Sequence, residues 1–139
     1  MDGAIHRAAG PELLAACRTL GGCPTGEARL TPGYNLKARF VIHAVGPVYR
    51  GHPRDAELLA AAHRSSLELA RQHKLRSIAF PAISTGAYGY PIYEAGEIAL
   101  EAVQRHLGSY PEIALVRFVL WGELALAAYQ RAAQKVLAA

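Results

Sequence analysis

This sequence of 139 residues has little charge, few thiols and no long apolar run. Charged residues make up 19% of it, and its 15 basic residues are dispersed, which argues against a nucleic-acid-binding patch although the net charge is +4. The two cysteines form no CxxC pair and the six histidines form no HExxH motif, so we expect neither a disulfide framework nor a metal site. No segment approaches the ~20 apolar residues of a membrane span, and the first residues do not resemble a signal peptide. We therefore expect a reduced, cytoplasmic protein with no membrane partner.

The residues that are present predict one α/β domain over positions 1–139. Apolar residues make up 52% of the chain, and glycine and proline divide it into short segments. Apolar periodicity, caps and turn residues predict helices near residues 2–9, 12–20, 55–73, 91–106 and 123–137. Strands are predicted at residues 25–30, 40–45, 77–80 and 115–121. Strands that alternate with helices are typical of an α/β layer fold with a largely buried sheet.

The segment from residue 80 to residue 91 carries most of the candidate chemistry. A buried strand leads into a loop that contains Gly86 and Gly89, and a helix opens directly after it. Unpaired N–H groups at a helix start attract anions, and glycine lets the backbone approach phosphate oxygens. Ser84 and Thr85 add hydroxyl donors, and Tyr88 offers a flat face for a ribose. From these residues alone, a plain strand-to-helix connection explains the loop equally well. Neither the Walker A nor the GxGxxG pattern is present, which disfavours ATP hydrolysis and Rossmann binding.

Four motifs follow one another along the chain: DGAIHRAAG at 2–10, CPTGEA at 23–28, VIHAVGP at 41–47 and PAISTGAYGYP at 81–91. Together they resemble the motifs of macrodomains, specifically the MacroD-type branch, over essentially the whole chain. The resemblance implies a three-layer α/β/α macrodomain with a mixed sheet that binds ADP-ribose. In this branch it also implies hydrolysis of O-acetyl-ADP-ribose and of ADP-ribose esters on acidic protein side chains. The implied partners are ADP-ribose, O-acetyl-ADP-ribose and ADP-ribosylated proteins, with no metal or cofactor.

The resemblance also implies roles for individual residues. Asp2 matches the acid that activates or positions the attacking water beside the distal ribose. The residues implied to bind ADP-ribose are Gly3, Ala4, Ile5, Ser84, Thr85, Gly86, Ala87, Tyr88 and Trp121. Without the resemblance, Asp2 is better explained as a helix N-cap and Trp121 is equally well explained as a core residue. His6 and His43 are better explained as hydrogen-bonded structural histidines than as acid–base groups.

The chain departs from the macrodomain pattern at its start. In the family, a glycine-rich run and a valine precede the residue that matches Asp2, and two strands and a helix lie further upstream. Here Met1 takes the place of the valine. We therefore expect the chain to begin inside the domain, to leave a strand edge unpaired, and to bind ligand weakly. A misplaced start or a fragment explains this better than a genuine truncation, because the residues after Asp2 keep the motif pattern.

Three hypotheses of function follow from the sequence. The leading one is an ADP-ribose-binding macrodomain that hydrolyses ADP-ribosyl esters. The second is a reader that binds ADP-ribose without catalysis. The third is a nucleic-acid-binding domain, and the dispersed basic residues argue against it.

Overall fold

The computed structural model describes residues 2–138. Along this part of the chain the helices and strands are α1 (Asp2–Ala9), α2 (Pro11–Thr19), β1 (Ala28–Pro32), β2 (Phe40–Ala44), α3 (Arg54–Gln72), β3 (Ser77–Phe80), α4 (Ile92–Ser109), β4 (Leu115–Phe118) and α5 (Glu123–Leu137). None of the described helices is long and apolar enough to cross a membrane.

The ends of the elements follow local signals where these are strong. The predicted strand 77–80 and helix 123–137 agree with β3 and α5 in both bounds. Pro81 ends β3 because proline lacks the N–H group that a sheet ladder needs. Gly122 precedes α5 with φ 88°, a conformation that favours glycine over other residues. The predicted helix 91–106 includes Pro91 in its first turn. In the structure Pro91 precedes α4 as its N-cap.

Three predicted strands have different bounds, because pairing with a neighbour decides where a strand ends. β2 differs least, since it stops at Ala44, one residue before the predicted end. β1 begins at Ala28, where it lies opposite Ala44 of β2, and not at residue 25. It also continues to Pro32, two residues beyond the predicted end at residue 30. β4 stops at Phe118, opposite Phe80, and does not reach residue 121, because its partner strand has ended.

Helices cover both faces of the strands. On one face, Leu67 of α3 and Val103 of α4 pack with Phe80 of β3 in one buried cluster that Ile42 of β2 also contacts. Successive side chains of a strand point to opposite faces, so His43 points away from this cluster. There it contacts α2, with Cys17 Sγ 3.7 Å from His43 Nδ1. The predicted α/β class with three layers is confirmed.

The strands form two sheets of two strands each. β1 pairs with β2 in antiparallel orientation, and β3 pairs with β4 in parallel orientation. The pairings have the mixed character that was predicted, but they belong to two sheets and not to one. A cleft of about 670 Å³, which we call the central cleft, lies between β2 and β3.

Candidate functional site

The loop at residues 81–91 leaves the carboxyl end of β3 and is held by hydrogen bonds within itself. The Thr85 hydroxyl donates to the Ala82 carbonyl at 2.8 Å. The Tyr90 N–H donates to the Ser84 carbonyl at 2.9 Å, across the loop. Ser84 has a φ of 68°, a backbone conformation that residues other than glycine rarely adopt. The loop therefore has a defined conformation that its own hydrogen bonds maintain.

Three consecutive N–H groups of this loop remain free. Among the described residues, Gly86, Ala87 and Tyr88 donate no main-chain hydrogen bond, although the neighbouring Gly89 N–H donates to the Gly86 carbonyl at 3.0 Å. All three residues are exposed. A Cβ added at Gly86 would meet no atom within 4 Å, so there is open space beside the loop. Successive free N–H groups in a turn form a site for an anion such as a phosphate.

A second segment, residues 46–52, contacts the loop from outside, and we call it the anchoring segment. The Tyr49 N–H donates to the Tyr88 carbonyl at 2.9 Å, and the Tyr49 ring centroid lies 4.9 Å from that of Tyr90. Gly46 lies so close to the loop that a Cβ there would overlap the Ser84 hydroxyl. Sequence reasoning did not identify Gly46 or Tyr49 as site residues. In the sequence, Gly46 and Pro47 only follow the strand predicted at residues 40–45, so nothing there indicated a contact with the loop.

Asp55 fixes the anchoring segment in place. It is 6% exposed, and its Oδ2 accepts hydrogen bonds from the N–H groups of Arg50 at 3.0 Å and His52 at 3.1 Å. Burial raises the pKa of the Tyr90 phenol, and the nearby Asp55 carboxylate raises it further. Tyr90 is therefore a neutral, buried support under the loop.

The start of α1 reaches the same region. Asp2 and Ile5 line the central cleft together with Pro81 and Ile83, the first residues of the loop. The Asp2 side chain is 90% exposed, and its Oδ1 lies 3.6 Å from His6 Nε2. Four residues of α1 were predicted to belong to the site. The structure brings two of them, Asp2 and Ile5, to the cleft.

The other two, Gly3 and Ala4, are exposed and do not line the central cleft. Their placement near a ligand stays a prediction.

His43 has a structural environment. Its Nε2 lies 2.9 Å from the Thr31 hydroxyl. Burial lowers the pKa of His43, the neighbouring His6 lowers it further, and Asp2 partly opposes this. Its imidazole is therefore neutral at neutral pH, which supports the interpretation of His43 as a hydrogen-bonded structural residue.

Trp121 lies at the same edge of the sheets as the loop. The Val119 N–H donates to the Phe80 carbonyl at 2.8 Å, so the carboxyl ends of β4 and β3 lie side by side. Trp121 is 93% exposed, and the alternative that it belongs to the core is wrong. It does not line the central cleft. Among the described residues, no group of three metal-ligating side chains is close enough to hold a metal ion.

Comparisons with known proteins agree on one family. A family model described as "Macro domain" matches residues 1–99. A macro domain-containing protein of Chlorobaculum tepidum is 55% identical over 133 residues, which cover 95% of this chain and 77% of that protein. An O-acetyl-ADP-ribose deacetylase of Klebsiella pneumoniae is 52% identical over 136 residues, which cover 94% of this chain and 78% of the deacetylase.

A solved macrodomain has the same architecture. The Oceanobacillus iheyensis macrodomain with ADP superimposes with a TM-score of 0.94 at 45% identity, and the match covers 99% of this chain and 76% of that one. A mutant of the same macrodomain with ADPR gives a TM-score of 0.93, with 99% and 78% covered.

Proposed function

This chain belongs to the macro domain family, and we propose that it binds ADP-ribose and hydrolyses O-acetyl-ADP-ribose and ADP-ribosyl esters on acidic protein side chains. The observation that carries the binding half is the set of three free N–H groups at Gly86, Ala87 and Tyr88. The similarity to the Klebsiella pneumoniae deacetylase supports the hydrolytic half.

The diphosphate of ADP-ribose is the part that these N–H groups recognise. Hydrogen bonds from N–H donors to a charged oxygen are about twice as strong as those between neutral groups. Because the hydrogen bonds of Thr85 and Tyr90 already hold the loop, few backbone torsions have to be fixed on binding. The Tyr88 ring, which is 45% exposed, lies beside the donors and can cover a ribose. We expect Trp121, which is 93% exposed at the same edge, to stack on the adenine.

Hydrolysis needs a water molecule to be oriented and deprotonated. We assign this role to Asp2, whose carboxylate lines the cleft that begins at Pro81. The water oxygen bonds to the ester carbonyl carbon, and the bond between that carbon and the ribose oxygen then breaks. The ribose oxygen takes a proton, so the products are ADP-ribose and the free carboxylic acid. In the transition state negative charge develops on the ester carbonyl oxygen, and hydrogen-bond donors that are already in place stabilise such charge.

One observation favours a non-catalytic reader as the second candidate. The Asp2 side chain is 90% exposed, and the His6 ring at 3.6 Å is its ionic partner. A carboxylate with so few contacts is free to rotate, and catalysis requires the reacting groups to be closely positioned. In a reader, the free N–H groups of the loop still bind the diphosphate, and the Asp2 carboxylate leaves the ester intact.

Two measurements separate these candidates and a nucleic-acid-binding domain. Calorimetry with ADP-ribose, AMP and a short oligonucleotide is expected to give the tightest binding for ADP-ribose. Tighter binding of the oligonucleotide would overturn the proposal. Turnover of O-acetyl-ADP-ribose, followed by acetate release, then distinguishes hydrolase from reader. Binding of ADP-ribose without acetate release would leave the reader as the function.

A further inference from the structure

Trp121 and the anchoring segment lie on opposite sides of the loop at residues 81–91. Trp121 follows β4, which pairs with one edge of β3. The anchoring segment follows β2, which lies across the central cleft from the other edge of β3. The loop leaves the end of β3 between them. An ADP-ribose whose adenine stacks on Trp121 therefore turns its other ribose, which carries the ester, toward the anchoring segment.

The anchoring segment runs along the loop and then continues past it. Gly46 lies against Ser84, near the start of the loop. Three residues later, the Tyr49 N–H donates to the Tyr88 carbonyl at 2.9 Å. The two segments therefore run side by side in the same direction, and Arg50 comes directly after this second contact. Since we expect Tyr88 to cover the ribose, a polypeptide attached to that ribose leaves the loop next to the surface that begins at Arg50.

This surface forms a pocket of about 530 Å³, which we call the basic pocket and define by Arg50, His52 and Arg54. All three residues are exposed. Within residues 2–138, neither of the two arginines takes part in an ion pair. The His52 Nδ1 accepts a hydrogen bond from the Arg54 N–H at 3.1 Å, which leaves its Nε2 as the ring donor. The pocket thus presents two guanidinium groups and an imidazole N–H to solvent.

The nearby carboxylates do not cancel the charge of the basic pocket. Of the described residues that line it, Asp55 is the one carboxylate. Asp55 is 6% exposed, and its Oδ2 already accepts the N–H groups of Arg50 and His52. Glu57 is exposed on α3 but lies outside the lining. The exposed charge of the pocket is therefore positive. Arginine side chains bind carboxylates through two parallel hydrogen bonds, so the pocket suits a carboxylate.

We propose that the basic pocket binds acidic side chains that flank the ADP-ribosylated residue of the modified protein, so that esters in acidic sequences are the preferred substrates. This inference rests on the proposed function, because it requires the ADP-ribosyl group to bind at the loop. The modified side chain is neutral as an ester, so the charge that the pocket recognises belongs to its neighbours. O-acetyl-ADP-ribose has no such neighbours and does not use the pocket.

Two peptide conjugates test this preference. The probe is acetyl-Asp-Gly-Asp-Glu-Asp-Gly-Asp-amide, whose central glutamate is joined to the ribose of ADP-ribose through an amide that resists hydrolysis. The control has asparagine in place of every aspartate. At low salt, the acidic conjugate is expected to bind about fivefold more tightly than the control, and the ratio of the two affinities is expected to fall as salt is added.

Calorimetry with free ADP-ribose, measured alongside, separates this inference from the proposed function. Equal affinities of the two conjugates, in a protein that binds ADP-ribose, would overturn the preference and leave the proposed function in place. Failure of ADP-ribose itself to bind would overturn the proposed function and this inference with it.

Matched variants locate the preference. Arg50→Gln/Arg54→Gln removes both guanidinium groups and is expected to bring the ratio of the two affinities to within about twofold of one. The ratio is the readout because a lost positive charge also weakens binding of the diphosphate itself. Arg64→Gln/Arg105→Gln removes the same charge at two exposed positions outside the pocket and is expected to keep the ratio. A preference that persists in the Arg50→Gln/Arg54→Gln variant would overturn the proposal.

NMR identifies what occupies the pocket. The backbone amide resonances of His52 and Arg54 are expected to shift more with the acidic conjugate than with the asparagine conjugate. If a short oligonucleotide shifts these resonances and the acidic conjugate does not, the pocket binds nucleic acid and the proposal is wrong.

Discussion

The loop at residues 81–91 and the walls of the central cleft both contain unpaired main-chain groups, in different arrangements. In the loop, three consecutive N–H groups at Gly86, Ala87 and Tyr88 are free beside open space. In the cleft, free groups alternate along two strand edges, as at Phe40 and Ala79. Adjacent N–H groups in a turn suit a compact anion, and alternating donors and acceptors suit another strand. Backbone geometry, more than residue type, separates a turn that suits an anion from a strand edge that suits a neighbouring strand.

The largest expected effect is that of Gly86→Glu on the loop. Its carboxylate would lie where a phosphate is expected to bind, and at least two charge-assisted hydrogen bonds would be lost. We expect ADP-ribose affinity to fall by ~100-fold or more. The Gly86→Ala control adds a Cβ that meets no atom within 4 Å and should keep affinity within about threefold. Calorimetry measures both, and circular dichroism checks folding. Normal ADP-ribose binding by folded Gly86→Glu would show that the loop does not hold the phosphates.

Asp2→Ala separates turnover from binding. A group that acts on water in the transition state contributes more to kcat than to affinity for the ground state. We expect the rate of O-acetyl-ADP-ribose hydrolysis to fall by ~100-fold while ADP-ribose affinity changes little. Glu57→Ala, an exposed carboxylate on α3, is the matched control. Undiminished acetate release by the Asp2 variant would leave the residue with no role beyond the start of α1.

Gly46→Ala tests whether the anchoring segment maintains the loop. The new Cβ would overlap the Ser84 hydroxyl, so the loop must shift. Overpacking of this kind costs ~1–3 kcal/mol of stability, and we expect ADP-ribose affinity to fall about tenfold. Gly108→Ala, on α4 where a Cβ meets nothing, is the control for thermal melting and calorimetry. If Gly46→Ala matched this control in both, the close approach to Ser84 would have no function.

Trp121→Ala is expected to affect only ligands that contain a base. Stacking of a base on an aromatic ring is worth ~1–3 kcal/mol, so affinity for ADP-ribose should fall about tenfold or more. Affinity for ribose 5-phosphate should not change, and neither should stability, because the side chain is 93% exposed. Calorimetry with both ligands measures the difference. Equal losses for the two ligands would place Trp121 away from the adenine.

The smallest expected effect is a pH dependence of stability that His43 causes. His43 lies on β2 at the wall of the central cleft. The pKa of His43 is lowered from 6.5 by burial and by His6, so below pH 6.5 the unfolded chain binds a proton that the folded chain does not. Stability from this residue is therefore present above pH 6.5 and declines as the pH falls toward the lowered pKa, by no more than ~1.4 kcal/mol per unit.

His43→Gln keeps a partner for Thr31 and removes the titration. The difference in melting temperature between pH 7.5 and pH 5.5 should be smaller in this variant than in the parent chain. His73→Gln, at the exposed end of α3, serves as the control. An unchanged difference in the His43 variant would contradict the account of this residue.

The sequence predicted those parts of the fold that local chemistry determines. β3 ends where Pro81 removes an N–H group, and α5 begins after a glycine with positive φ. The bounds of β1 and β4 could not be predicted in this way, because pairing with Ala44 and with Phe80 decides where those strands begin and end. The separation into two sheets likewise depends on which strands lie side by side, and no single segment encodes it.

The candidate site also has a part that the sequence predicted and a part that depends on tertiary contacts. The glycine-containing loop stood out in the sequence because Gly86 lies between a buried strand and a helix. The contacts of Tyr49 and Gly46 with that loop are tertiary, and they join segments that are far apart in the chain. Runs of β-branched and apolar residues predicted that Phe40 and Ala79 lie on strands, and the resemblance predicted an unpaired strand edge, but the sequence did not show which strands would border it.

The most direct test of the account is the amide exchange of Gly86, Ala87 and Tyr88 with and without ADP-ribose, measured by NMR. If these N–H groups bind the diphosphate, their exchange should slow at least tenfold in the complex, while that of Phe40, Ile42 and Ala79 stays the same. Saturable binding of ADP-ribose that leaves the three loop amides unchanged would contradict the account.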